Sequence, residues 1–153
     1  MSNEWRYSVE IRPEAGEFHA YCDDLPEAIA AGATEADALR EMREAIVAAV
    51  RGRMKDAMDL SPPAIRREGP RVALPTRLAA KAAVYSAWRA SGLSKVALGE
   101  RIGRSETEVR RLLDPDYGTK LDQLGEAADA LGLRGHDRLH SLSASGHGST
   151  QLK

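Results

Sequence analysis

A single cysteine, Cys22, in 153 residues excludes an internal disulfide and any zinc site built from several cysteines. His19 lies three residues away on a strand-like stretch and would face the opposite side, so Cys22 reads as a small buried residue, not a nucleophile. No apolar run approaches the ~20 residues of a membrane span. The start, Met1-Ser2-Asn3-Glu4, lacks the basic and apolar regions of a signal peptide, so a cytoplasmic protein with no membrane contact is expected. Internal repeats and glycine-rich phosphate loops are also missing, and no cofactor is expected. His136 and His140 have the i, i+4 spacing that holds a metal on a helix, but no third ligand is near, and no metal site is expected.

What is present is globular: 42% hydrophobic and 29% charged residues. The net charge of −1 hides an asymmetry. Residues 1–60 carry 7 Lys/Arg against 13 Asp/Glu, and residues 61–134 carry 13 against 9. The acidic half suits a basic protein partner, and the mildly basic half suits nucleic acid.

The most informative stretch is Leu93–Leu113. Ser94 caps a helix on which Leu98 and Ile102 share a face, and Gly103 supplies the left-handed residue that ends it. Ser105 opens a second helix, with Glu108 completing a capping box. Val109, Leu112 and Leu113 form its apolar stripe, leaving Glu106, Thr107, Arg110 and Arg111 on the other side. Gly99 falls where the two helices should approach most closely. Helix, sharp turn and exposed second helix make a helix-turn-helix, a DNA-reading device. Thr107, Arg110 and Arg111 are the candidates for base or phosphate contact. Glu106 shares their helix face, and Arg104, Ser105 and Lys120 are candidates for phosphates. The stretch resembles the lambda-repressor-like family at Ser94, Leu98, Glu100, Arg101 and Gly103, and conservatively at Ile102. It departs at Gly99, where the family usually has Ala, and at Arg104, where it usually has an apolar residue.

The N-terminal half opens with strict alternation, Trp5, Tyr7, Val9 and Ile11 on one side and Arg6, Ser8, Glu10 and Arg12 on the other, a half-buried strand. Pro13-Glu14-Ala15-Gly16 reads as the turn to a second strand carrying Phe18, Ala20 and Cys22. After a third segment at Ile29–Ala33, Thr34 and Asp37 cap a long helix with Leu39, Met42, Ile46, Val50 and Met54 along one apolar face. Residues 59–70 are proline-rich and aperiodic, and Arg71–Leu74 is a short strand, expected to pair with the N-terminal sheet or with its copy in a second chain. A helix from Thr76 with Val84 and Trp88, and a last one with Leu121, Leu124, Ala128 and Leu131 ended by Gly132, complete the pattern. The expected organisation is α+β. A small antiparallel sheet with a covering helix occupies 1–60, and a linker 61–75 contains the strand at 71–74. An all-α helix-turn-helix domain follows at 76–134, then a disordered tail at 135–153.

Tyr7, Gly16, Phe18, Asp24, Leu25, Pro26, Gly32, Thr34, Glu35 and Ala38 give the N-terminal half a resemblance to the HicB antitoxin family. Family members commonly have Pro-Asp-Leu-Pro-Gly where this chain has Asp23-Asp24-Leu25-Pro26-Glu27. The resemblance implies a partial ribonuclease-H-like N-terminal fold followed, in many members, by a helix-turn-helix. It implies an antitoxin that blocks a HicA-type toxin, a small basic ribonuclease that cleaves mRNA with a histidine. It also implies repression of the antitoxin's own operon through an inverted-repeat operator, bound by a homodimer or higher homo-oligomer. Glu14, Glu17, Asp23, Asp24 and Glu27, read as loop residues, are the candidates for the toxin-facing surface. Catalysis by the chain itself is not expected: Asp23 and Asp24, even with Glu41 or Glu44, would need a loop to converge on magnesium, because neighbouring strand residues face opposite ways. The competing function is a stand-alone transcriptional regulator whose N-terminal half senses a small ligand.

Overall fold

The computed structural model describes residues 5–64, 66 and 68–133; His136, His140 and the expected tail lie outside them. The architecture is mixed α+β, a small antiparallel sheet and long helix followed by a set of helices. The order is β1 (Arg6–Ser8), β2 (Glu10–Glu14), β3 (Glu17–Tyr21), β4 (Ile29–Gly32), α1 (Glu35–Lys55), β5 (Arg71–Ala73), α2 (Thr76–Ser91), α3 (Lys95–Ile102), α4 (Glu106–Leu113) and α5 (Leu121–Ala130).

The alternating stretch that reads as one strand is divided at Val9. β2, β3 and β4 form a three-stranded antiparallel sheet in that order, and β1 instead pairs with β5, Tyr7 opposite Val72. The Val9 N–H donates to the Pro70 carbonyl at 3.0 Å, so the ladder to β5 runs on to the bend. The 71–74 strand thus lies against the N-terminal strand of its own chain. The alternation itself holds: Trp5, Tyr7 and Val9 are buried.

The turn between β2 and β3 is shorter than the sequence reading had it. Pro13 and Glu14 belong to β2, and only Ala15 and Gly16 connect the strands, both at positive φ (54° and 82°). Two such residues suit a type I′ turn, whose twist matches a hairpin. Glu14 and Glu17 are therefore the paired strand ends beside the turn, not loop residues.

α1 covers one face of the sheet. Thr34 Oγ1 accepts from the Asp37 N–H at 3.0 Å, and Ala38, Met42, Ile46, Val50 and Met54 form the buried stripe, four residues apart throughout. Leu39, placed on that face from sequence, is half-buried, and Ala38 takes its place in the core. Gly32 is required where β4 meets the helix: a Cβ there would lie 2.5 Å from the Ala38 nitrogen.

The end of α1 leans on the later helices. Arg51 and Lys55 both bond the Asp116 carboxylate, the Tyr85 hydroxyl donates to the Met58 carbonyl at 2.7 Å, and Arg89 pairs with Asp59. The proline-rich connection carries no helix or strand before β5 among its described residues, yet Leu60 is buried in it. No helix among the described residues is long and apolar enough to cross a membrane.

Candidate functional site

The α3–α4 pair is built from local chemistry. Ser94 Oγ accepts from the Ala97 N–H at 3.0 Å, and Gly103 ends α3 at φ 69°. Ser105 Oγ then accepts from the Glu108 N–H at 3.2 Å while Glu108 Oε1 accepts from the Ser105 N–H at 2.9 Å, a complete capping box. Between the helices the backbones nearly touch. A Cβ on Gly99 would sit 2.3 Å from the Arg104 carbonyl oxygen and 3.3 Å from Val109 Cγ2, and the Arg104 N–H donates to the Gly99 carbonyl at 2.8 Å. The glycine that departs from the common alanine is what permits this crossing.

α4 buries Val109, Leu112 and Leu113 and exposes Glu106, Thr107, Glu108, Arg110 and Arg111. Arg110 pairs with Glu106 at 3.1 Å along the helix. The Arg111 guanidinium lies 5.3 Å from the centre of the Tyr117 ring, which is itself 45% exposed. Thr107 is exposed between them. Arg104 is turned the other way, bonded to Glu126 of α5 at 3.1 Å and facing Glu108 at 3.6 Å. Ser105 Oγ is occupied by the cap, and Lys120 is exposed at the N-cap of α5. Thr107, Arg110 and Arg111 thus share one open face, whereas the side chains of Arg104 and Ser105 are engaged in holding the helices together.

Sequence reasoning missed the residue that secures the other end of α4. Lys81, on α2, is 1% exposed, and its ammonium donates to the carbonyls of Arg111, Leu112 and Asp114 at 3.1, 2.9 and 2.8 Å and to Thr119 Oγ1 at 2.8 Å. These carbonyls include orphan acceptors of the last turn, which carries partial negative charge. Burial pulls the Lys81 pKa down to about 8, which leaves the amine mostly charged at neutral pH. The sequence signal is one lysine inside the otherwise apolar run Leu78-Ala79-Ala80-Lys81-Ala82-Ala83-Val84, which leaves a helix there no polar face except at Lys81.

The acidic candidates of the N-terminal half fall into two places. Glu14 and Glu17 flank the hairpin turn, where Glu14 accepts from the Tyr21 hydroxyl at 3.0 Å and Glu17 lies 3.0 Å from His19 Nε2. That bond to Glu14 holds the Tyr21 phenol above its ordinary pKa. Asp23, Asp24 and Glu27 sit in the β3–β4 connection, and each meets a group far along the chain. Asp23 faces Arg66 at 3.6 Å, Asp24 Oδ2 accepts from the Ala64 N–H at 3.1 Å, and Glu27 takes Arg53 through two bonds of 2.6 and 2.8 Å. The Arg53 guanidinium keeps the Glu27 carboxyl below its usual range. No group of three or more His, Cys, Asp or Glu arranged to hold a metal occurs among the described residues.

Residues 6–83 match the HicB-like antitoxin family of bacterial toxin–antitoxin systems. Curated relatives extend the similarity over most of the chain. Antitoxin HicB 1 of Photorhabdus laumondii is 31% identical over 83% of this chain and 82% of its own length. Antitoxin HicB of Escherichia coli is 29% identical over 83% and 94%, and that of Pseudomonas fluorescens 30% over 85% and 90%. The chain, with its three-stranded sheet under a long capped helix and its trailing helices, belongs to the HicB-like antitoxin family.

Proposed function

We propose that the chain inhibits a cognate HicA-type toxin through its N-terminal half and represses its own operon by binding operator DNA through α3 and α4, used as a helix-turn-helix. The observation that carries the DNA part is the α4 face: Thr107, Arg110 and Arg111 are open to solvent on a helix whose two ends are fixed by a capping box and a buried lysine. A short helix held at both ends presents side chains to base edges in a constant register. Arg110 must leave Glu106 to reach DNA, an exchange between exposed partners that costs little. Lys120 flanks the helix as a phosphate contact, and Arg104 joins it by exchanging Glu126 and Glu108 for a phosphate. Ser105 keeps its hydroxyl proton to donate while its oxygen holds the cap, and Glu106 borders the base-reading set. One such helix covers few base pairs, so two copies related by a twofold axis are expected on an inverted repeat. The boundary between the toxin-binding and DNA-binding parts falls in the proline-rich stretch before β5.

The test replaces Arg110 and Arg111 with Ala and measures two affinities. Operator binding in a gel shift should fall by roughly a hundredfold while capture of the toxin stays as in the wild type. Unchanged DNA binding would remove α4 from the reading helix.

A further inference from the structure

The three-stranded sheet has two open edges, and they differ. The type I′ turn closes on Glu14 and Glu17, which exchange hydrogen bonds across the hairpin. Antiparallel alternation then makes Arg12–His19 and Glu10–Tyr21 hydrogen-bonded pairs too and turns the main chain of Phe18 and Ala20 toward β4, opposite Gly32 and Ala30. Ile29 and Ala31 therefore direct their N–H and C=O groups away from the sheet. Applied to β2, the same alternation points Ile11 and Pro13 outward, and Pro13 has no N–H to offer a further strand. The β2 edge is blocked by its proline and lined by Glu10 and Arg12. The β4 edge reads Ile29-Ala30-Ala31-Gly32, with no proline, no charge and no side chain large enough to shield the backbone, except Ile29, which is 56% exposed.

Beside this edge runs an open groove of about 640 Å³ between β4 and α1. Its charged wall is about two turns of α1: Asp37 and Arg40, which pair with each other, and Glu41 and Glu44, which have no ion-pair partner among the described residues. These two carboxylates contrast with Asp23, Asp24 and Glu27, whose partners are internal. Three carboxylates against one guanidinium would repel a second copy of the same wall, and they attract a basic segment.

We propose that the β4 edge receives an extended, basic segment of the toxin as an added strand, its main chain bonding Ile29 and Ala31 and its Lys or Arg side chains meeting Glu41 and Glu44. The placement rests on the toxin-binding reading above and moves the contact surface from the hairpin turn and the β3–β4 connection to the outer edge of β4. Backbone bonds supply affinity in such strand addition, and alternate side chains supply selectivity.

The experiment uses the full chain and the protein encoded by the adjacent reading frame, with affinity read by calorimetry at two salt concentrations. Ala31→Pro removes one outward N–H at an edge position where proline is tolerated, and the pair Glu41→Lys with Glu44→Lys reverses the groove on exposed helix positions. Each is expected to weaken toxin binding by at least about tenfold, with operator binding unchanged, and the double reversal should also flatten the salt dependence. If Ala31→Pro does not fold, as judged by its melting curve, the double reversal alone decides. Wild-type-like toxin affinity in the folded variants overturns the proposal while leaving the antitoxin reading intact. Failure of the wild type itself to bind overturns both. Light scattering provides the remaining arm: a wild-type dimer that becomes monomeric in Ala31→Pro assigns the edge to a second copy and overturns the proposal.

Discussion

Two helices of this chain solve the same problem by opposite means. α1, 21 residues long, buries five side chains in a straight stripe against a sheet, so its position is spread over many weak contacts. α4 has eight residues and three buried side chains, too few turns to be stable in isolation, and it depends on point attachments: a capping box at one end, Lys81 at the other and a side-chain-free crossing at Gly99. A distributed contact tolerates the loss of one member. A point attachment does not, and α4 is the helix whose exact pose bears on the proposed DNA reading.

That contrast is open to attack, beginning where it should be strongest. Lys81→Met keeps the aliphatic volume but strands three carbonyls and the Thr119 hydroxyl; a loss of about 3 kcal/mol in urea unfolding is expected, with amide exchange rising first in α4. If exchange rose equally everywhere, Lys81 would be an ordinary core residue. Gly99→Ala, trivial on a helix surface, places a methyl on the Arg104 carbonyl and should cost about 2 kcal/mol, although alanine is the better helix former. A stabilised variant would mean that the helices do not cross as described. Ile46→Val, in the middle of the α1 stripe, should cost about 1 kcal/mol and leave α4 exchange at the wild-type rate. The smallest effect concerns pH. The folded Glu27 carboxyl lies below its unfolded value of 4.5 because of Arg53, so its stabilisation is present above that value and is lost as pH falls through the folded pKa. The pair is partly exposed, and the change is a fraction of ~1 kcal/mol. It should vanish from the pH dependence of melting in Arg53→Met.

The features that sequence made legible are those whose partners lie within four residues. Ser94, the Ser105–Glu108 box, Gly103, Thr34 with Asp37 and the stripes of α1 and α4 were all readable from spacing, because caps and helix faces are decided locally. What escaped is long-range. Nothing near Val9 announces that the chain changes partner there, since alternation reports burial and is indifferent to which strand lies alongside. Lys81 meets acceptors thirty and more residues away, and Asp24 and Glu27 find Ala64 and Arg53 across comparable separations. Composition marks those residues as charged, but spacing cannot say that they are already occupied.

The pairing of β1 with β5 has a consequence for the order in which the molecule can be made. β1 leaves the ribosome long before its partner, which is encoded just before α2, so Trp5 and Tyr7 wait through the synthesis of the sheet, α1 and the proline-rich stretch before Val72 arrives beside them. The β2–β3 hairpin, whose contacts are near in sequence, is free to form early, whereas closure of the outer pair must follow the passage of a long loop. A fragment ending at residue 60 would halt at that stage, its first strand made and still single.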